Sequence, residues 1–177
     1  MATPPLFVAG QVLTAAQMNQ IGFFKIGSFA LAATTNVNNV FTSDYRSYRL
    51  VIASTGGTSS DITMRLRVGG ADNSTSNYNY AGQRSGFNLT TPSSIGAASQ
   101  TSFTVGRTDS GDPGGGTSLD IYNPEAAFRT YFTGQAIDAQ FLGNFGGYFD
   151  LTTQFDGFTL FGSASWTGTV SVYGYRN

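Results

Sequence analysis

The sequence predicts an all-β protein: an antiparallel β-sandwich with a jelly roll as the favoured topology, preceded by an extended N-terminal arm and one short helix. After residue 22, short segments alternate apolar and polar side chains with the period of two that is typical of strands. Glycine-rich turns separate these segments, and no helical pattern lies between them, which favours antiparallel pairing over parallel pairing. An up-and-down barrel is the alternative topology. We expect the arm and helix in residues 1–22 and the sandwich in residues 23–177.

The strand pattern is carried by residues 25–33, 45–54, 62–68, 78–83, 101–105, 117–122, 128–138, 147–153, 157–161 and 168–175. Within residues 45–54, the alternation predicts that Tyr48, Leu50 and Ile52 point into the core. In the next strand the predicted inward residues are Ile62, Met64, Leu66 and Val68, with arginines on the outward face. The phenylalanines at strand spacing are also predicted to be core residues: Phe128, Phe132, Phe149, Phe158 and Phe161.

Turns and loops are marked by glycine pairs and by small polar residues. We expect the glycines at 56–57, 69–70, 114–116 and 146–147 to supply the positive φ angles that tight turns need. Two stretches rich in small residues, 84–100 and 106–116, exceed the usual length of a connection, so we expect both to be long loops.

The first 22 residues differ in character from the rest of the chain. Pro4 and Pro5 fix two φ angles and remove two backbone donors, so residues 2–9 are predicted to be extended. Thr14 and Gln17 fit a capping box for a helix over residues 15–20, which Gly22 is placed to end. A helix this short is not stable alone in water and needs a surface to pack on. The expected partner-binding residues are Pro4, Pro5, Leu6, Phe7, Val8, Leu13, Met18 and Ile21. The alternative is a helix that packs on its own sandwich.

Two segments carry a resemblance to a known class of protein. FVAGQVLTAAQMNQI, residues 7–21, resembles the G-x-x-L-T-A-A-x-x-N segment near the start of many tailed-phage fibre, appendage and head-fibre proteins. GTVSVYGYRN, residues 168–177, is similar to the last strand of small β-sandwich domains in such proteins, where segments like residues 45–54 and 64–80 occur in the same order. The resemblance implies a virion structural protein, assembled in the host cytoplasm as an oligomer that is frequently a trimer.

Composition excludes several classes of function. Charged residues make up 11% of the chain and the net charge is −1, so no basic stripe exists that could neutralise several phosphates, and we expect no nucleic-acid partner. The first residues show no basic segment followed by an apolar one, and no apolar run reaches the length of a membrane span, so neither secretion nor membrane insertion is expected. A neutral, amide-rich exterior suits a protein that works inside an assembly.

Catalytic and metal chemistry is weakly represented. Histidine and cysteine are absent, which removes the commonest general base, the serine and cysteine triads and most transition-metal sites. Asp109, Asp112 and Asp120 are interpreted as turn and strand-end residues, and Asp109, Ser110 and Asp112 lack the full acidic pattern of a calcium loop. We therefore predict no enzyme activity, no metal site and no cofactor.

Aromatic residues remain as candidate binding groups. Asn77, Tyr78 and Tyr80 lie in the amide-rich segment NSTSNYNY, and Trp166 lies in a predicted turn. The tyrosine and tryptophan rings could stack on a sugar while the amides bond its hydroxyls. Alternatively, these residues could pack a trimer interface, which we favour because interface cores are enriched in Tyr and Trp.

These observations leave three hypotheses open. The leading one is a structural component of a tailed-phage virion, a tail fibre, tail appendage or head fibre, anchored to other virion proteins by residues 1–22 and oligomerising through its β domain. The second is a receptor-binding module for host-surface polysaccharide. The third is a capsid decoration or cement protein that uses the same arm against the head. Sequence does not separate head from tail.

Overall fold

The structure is a computed structural model that describes residues 10, 12, 22–57, 60–88, 91–108, 114–162 and 166–175. The expected arm and short helix, with Gly10, Val12 and Gly22 excepted, lie outside the described residues, as do Asp109, Ser110 and Asp112. The described part consists of strands and their connections: β1 (Phe23–Ala30), β2 (Thr34–Val37), β3 (Ser47–Gly57), β4 (Ser60–Val68), β5 (Ala71–Asp72), β6 (Tyr78–Gly86), β7 (Ser93–Gln100), β8 (Phe103–Thr108), β9 (Gly115–Tyr122), β10 (Tyr131–Ile137), β11 (Phe141–Phe149), β12 (Gly157–Gly162) and β13 (Trp166–Tyr175).

The strands form two antiparallel sheets that pack face to face, which confirms the predicted sandwich. The larger sheet has the order β1-β13-β3-β9-β10-β11-β6-β7, and the smaller has the order β2-β12-β4-β5 with β8 also paired to β4. Without β5 and the two hairpins β6–β7 and β10–β11, the sheets reduce to β1-β13-β3-β9 and β2-β12-β4-β8. The chain crosses between sheets in the sequence of a double Greek key, which is the jelly roll.

Both inserted hairpins extend the larger sheet on one side. The register continues without interruption from β9 to β10, from β10 to β11 and from β11 to β6. The larger sheet therefore extends beyond the smaller one, and β8 lies beneath the extension.

The core contains the inward-facing residues of β3 and β4, the strands in which apolar and polar side chains alternate most regularly. Tyr48, Leu50 and Ile52 are at most 1% exposed, and Ile62, Met64 and Leu66 are at most 3% exposed, as predicted. Val68 was expected in the core but is 45% exposed, because it lies at the end of β4 beside the turn formed by Gly69 and Gly70. Of the predicted core phenylalanines, Phe132, Phe149 and Phe158 are buried, Phe161 is half-buried, and Phe128 is 57% exposed in the connection between β9 and β10.

Several predicted boundaries were wrong. Residues 84–100 are not one long loop: β6 continues to Gly86, and β7 begins at Ser93. Apart from Ile95 and Gln100, the side chains of β7 are small, so the strand shows no apolar alternation, and it pairs with β6 through the backbone. Both ends of the predicted loop at 106–116 belong to strands, because β8 ends at Thr108 and β9 begins at Gly115. The predicted strand at 147–153 is β11, which runs over Phe141–Phe149 through the glycine pair expected to turn.

Phenylalanine and glycine alternate reciprocally between β10 and β11. Phe132 lies opposite Gly147, and Gly134 lies opposite Phe145. A Cβ atom added at Gly134 would lie 2.8 Å from the Phe145 ring, and one at Gly147 would lie 2.7 Å from the Phe132 ring. Each ring thus covers the glycine on the opposite strand, which lets two large side chains share one layer of the core.

A buried arginine links the smaller sheet to the β4–β5 turn. Arg67, predicted on the exposed face, has a side chain only 8% exposed. Its guanidinium forms an ion pair with Asp72, donates to the Asn38 amide oxygen at 2.8 Å, and donates to the Thr159 hydroxyl at 2.7 Å. Burial is tolerated because these partners satisfy the charge and its donors.

Candidate functional site

The predicted binding residues do not form one surface. All the predicted arm residues, Pro4, Pro5, Leu6, Phe7, Val8, Leu13, Met18 and Ile21, lie outside the described residues. Tyr78 and Trp166 are 0% and 3% exposed, so the expectation that they offer ring faces to a sugar or a partner was wrong for this fold. Both occupy inward positions of strands, and Trp166 is the first residue of β13 rather than a turn residue.

Tyr78 and Tyr80 of β6 form hydrogen bonds within the sandwich. The Tyr78 hydroxyl donates to the Asn73 carbonyl at 2.6 Å and accepts from the Leu66 N–H at 3.2 Å, and burial raises the pKa of Tyr78 to about 12. Tyr80 is half-buried, and its hydroxyl accepts from Thr104 at 3.2 Å. Asn77 is a half-buried connection residue whose carbonyl accepts from the Asp150 N–H at 2.9 Å.

A cavity of 220 Å³ lies beneath the extension of the larger sheet, between β8 and the inner faces of β6, β10 and β11. Arg84 and Arg107 approach the Phe141 ring to 5.0 and 5.1 Å, and Arg84 lies 3.6 Å from Asp61. Both cations therefore pack on the same aromatic ring, and Arg84 also pairs with an acid.

The outer face of the larger sheet carries side chains in ordered rows across β9, β10 and β11. The aromatic row consists of Tyr122, Tyr131 and Tyr148, which are direct neighbours in the register. Two residues further along each strand, the floor row continues onto β6 and consists of Asp120, Thr133, Gly146 and Ala81. Two residues beyond that, the amide row consists of Ser118, Gln135, Asn144 and Gln83.

The floor row and the amide row line a recess, which we call the outer-face groove. Its volume is 690 Å³. Gly146 and Ala81 are the smallest residues of the floor row, and the aromatic row lies two residues further along each strand, outside the lining of the recess. Tyr131 and Tyr148 are 45% and 36% exposed, and their ring centroids are 6.1 Å apart. The groove is therefore a polar recess, and the exposed tyrosines form a separate row beside it.

The charges at the β9 end of the groove neutralise each other. The Arg49 guanidinium donates from Nε and Nη2 to the two carboxylate oxygens of Asp120, at 2.8 and 2.6 Å. The hydrogen bonds from Arg49 to Asp120 raise the pKa of Arg49. Tyr175 donates to the same carboxylate at 3.3 Å, and burial is the main cause that raises the pKa of Tyr175. The bidentate geometry fixes Asp120 as an acceptor at the groove end without adding net charge.

A separate aromatic cluster lies on the same face at the opposite edge of the sheet. Phe23, the first residue of β1, stacks on Tyr173 with ring centroids 4.6 Å apart and an interplanar angle of 9°, and it lies 4.9 Å from the Tyr175 ring. Phe23 is 45% exposed. We call these three residues the β1 aromatic cluster; it lies directly after the predicted arm.

Sequence reasoning missed both surfaces. The outward positions of the predicted strands 117–122 and 128–138 already contained Ser118, Asp120, Tyr131 and Gln135. That alternation was a signal for a polar and aromatic outer face. The pairing of β11 with β6, which completes the groove, joins residues about sixty positions apart and leaves no trace in periodicity.

Comparisons with protein-family models, with curated protein sequences and with solved structures found no match to this chain. In the described ranges, no group of three or more acidic, histidine or cysteine side chains is arranged to hold a metal ion. Among the residues whose structure is described, none lies in an apolar helix of membrane-spanning length. The evidence about function therefore comes from the outer face and from the sequence of the arm.

Proposed function

We propose that this chain is a structural component of a tailed-phage virion, a fibre or appendage subunit that is attached through residues 1–22 and assembles as a homo-oligomer through its β domain. A trimer is the expected state. The resemblance of residues 7–21 and 168–177 to phage fibre and appendage proteins supports the proposal. The jelly roll is compatible with it, because capsid and lectin domains are among the proteins built on this fold.

The observation that carries the proposal is the β1 aromatic cluster. In the single chain the Phe23 ring packs against two tyrosines and remains 45% exposed. Exposed groups of aromatic side chains are typical of protein interfaces. The cluster spans the edge strand β1 and its neighbour β13, and edge strands are common sites of pairing with another chain. Attachment through the arm would continue directly onto this edge.

The proposal is tested by a deletion and by a measurement of mass. A full-length tagged chain should be incorporated into phage particles when supplied in the cell that produces them, and a chain lacking residues 2–20 should stay folded and oligomeric but be absent from purified particles. Mass spectrometry of the particles and analytical ultracentrifugation of the free protein measure the two outcomes. Normal incorporation of the shortened chain, or a monomeric full-length chain, contradicts the proposal.

A further inference from the structure

We propose that the cavity beneath the extension of the larger sheet binds a small carboxylate with an apolar body, a molecule of the size of phenylacetate. The inference rests on the lining of the cavity and does not depend on the attachment role of residues 1–22 or on oligomerisation. Three properties of the cavity point to this ligand: its volume, its division into an apolar interior and a charged mouth, and a buried guanidinium donor that lacks an acceptor.

The volume of the cavity limits the ligand to a small molecule. The cavity measures 220 Å³, and an apolar cavity of about 150 Å³ in another protein holds one benzene molecule. A single ring with a short substituent, or an alkyl chain of similar volume, therefore fills the space. A sugar chain or a segment of another protein is too large to be enclosed in it.

The interior of the cavity is apolar. It is lined by the side chains of Ile95 on β7, Ala136 on β10 and Phe145 on β11, of which Phe145 is only 5% exposed. The hydroxyl of Tyr80, a polar group in this part of the lining, already accepts a hydrogen bond from Thr104 at 3.2 Å. An apolar body placed here removes apolar surface of both ligand and protein from water, which favours binding.

The mouth of the cavity carries charged groups. Arg84 and Arg107 line it, and their guanidinium groups lie 5.0 and 5.1 Å from the centre of the Phe141 ring. Asp61 lies beside Arg84, and the side chains of Asp61 and Arg84 are 51% and 26% exposed. Because these side chains reach solvent, a ligand enters on their side and keeps its own charged group there. The ligand is therefore amphipathic, with a charged head and an apolar body.

The donor that requires an acceptor is Nε of Arg84. This nitrogen is shielded from solvent and has no hydrogen-bond partner among the described residues. The ion pair with Asp61, at 3.6 Å, is made by a different nitrogen of the guanidinium, Nη1. A buried donor without an acceptor destabilises the fold, and the penalty is larger for a charged group. A carboxylate oxygen supplies the missing acceptor through a charge-assisted hydrogen bond.

The two acids of the described lining leave the positive side of the cavity available to an anion. Asp138 is buried, and its Oδ1 accepts from the N–H groups of Gln140 and Phe141 at 2.8 and 2.7 Å, which directs this oxygen to the turn between β10 and β11. Asp61 is half exposed, so water screens its charge. Arg84 is therefore the charged group of the lining that gains a partner when a carboxylate binds.

The test is an NMR titration of the isotope-labelled full-length chain with phenylacetate, phenylethanol and phenethylamine, which present the same ring with a carboxylate, a hydroxyl and an ammonium group. Phenylacetate should shift the amide signals of Gly106 and Gly143, which line the cavity. It should bind more than about tenfold more tightly than phenylethanol, because only the carboxylate forms a charge-assisted hydrogen bond. Phenethylamine should not bind.

Two variants and a matched control locate the site. R84M removes the guanidinium but keeps an unbranched side chain, and should weaken phenylacetate binding about tenfold or more. A136L places a larger apolar side chain in the cavity and should abolish binding. R65M is the control: Arg65 lies 4.8 Å from the Phe161 ring, which is the same packing of a guanidinium on a phenylalanine, but outside the cavity. This variant should bind phenylacetate like the unaltered chain.

Three results would overturn the inference. The first is that phenylacetate gives no saturable shift at about 10 mM, a concentration that detects even weak binding. The second is that phenylethanol or phenethylamine binds as tightly as phenylacetate. The third is that R84M and A136L, with melting temperatures close to that of the unaltered chain, bind phenylacetate as it does. The first two results come from the unaltered chain, so they decide the inference even where a variant does not fold.

Discussion

Removing the carboxylate of Asp72 should destabilise the protein by about 2–3 kcal/mol, because the substitution D72A leaves the Arg67 charge buried without its ion-pair partner. The Arg67 side chain is only 8% exposed, so water can replace the lost acid only in part. Asn36, Asn38 and Thr159 still accept from the guanidinium, but they are neutral.

The magnitude follows from the burial of the two partners. Breaking a fully buried pair costs about 3–5 kcal/mol, and a pair of exposed side chains contributes about 0–1 kcal/mol. Asp72 is 27% exposed, which screens part of the interaction and places the cost below the buried range. For a chain of this size, the same change lowers the melting temperature by about 5–10 °C.

Urea unfolding followed by circular dichroism measures the free energy of unfolding. Two further variants separate the effect of the charge from that of the hydrogen bond and provide a control at an exposed ion pair. D72N keeps an acceptor oxygen and loses the charge, so it should lie between D72A and the unaltered protein. D150A removes the exposed partner of Arg129, whose ion pair joins side chains that are 53% and 44% exposed, and should change the free energy by less than about 0.5 kcal/mol. If D72A proves as mild as D150A, the pair is not a determinant of stability and the reasoning fails.

Three further predictions concern the core and the β1 edge. The pKa of Tyr78 is about 12 in the folded protein and 10 in the unfolded chain, so the stability that its protonated hydroxyl contributes is complete below pH 10 and falls by about 2–3 kcal/mol as the pH rises to 12. The free energy of unfolding, measured from pH 8 to 11.5, should therefore decline less for Y78F than for the unaltered chain. Equal slopes for the two proteins would contradict this prediction. G147A should lower the free energy of unfolding by at least about 2 kcal/mol, because the added methyl group overlaps the Asn79 carbonyl and the Phe132 ring. In the control G143A, on the same strand, the atom nearest to the added methyl group is 3.4 Å away, so the melting temperature should barely change. F23S should change stability by under about 1 kcal/mol but shift sedimentation toward smaller species, and an unchanged sedimentation coefficient would rule out the β1 aromatic cluster as an interface.

The parts of the fold that sequence could predict are those in which side-chain pattern and burial coincide. β3 and β4 show a regular alternation, and Tyr48, Leu50 and Met64 lie in the core as predicted. β7 was missed because its small side chains carry no pattern, and it is held by backbone pairing that any sequence can make. The burial of Arg67 was missed because the partners that satisfy it come from distant segments of the chain.

The candidate site was less predictable than the fold. Tyr78 and Trp166 were expected at the surface from the polar residues around them, but strand periodicity turns them inward. The outer-face groove depends on which strands are neighbours, because its lining residues come from five strands of the larger sheet. Alternation shows which residues share a face of one strand, and pairing alone shows which of them meet.

The reciprocal phenylalanine and glycine pairs of β10 and β11 have a consequence on the other side of the sheet. If β10 slid by two residues along β11 in either direction, Phe132 would face another phenylalanine, Phe145 or Phe149, and Gly134 would face another glycine, so each slide would give both a collision and a gap. The core pairs therefore encode a single alignment of the hairpin. Because that alignment also sets Tyr131 beside Tyr148 and Gln135 beside Asn144, the inward glycines fix which side chains are neighbours on the solvent-exposed face, and a substitution at one of them should change that face without being part of it.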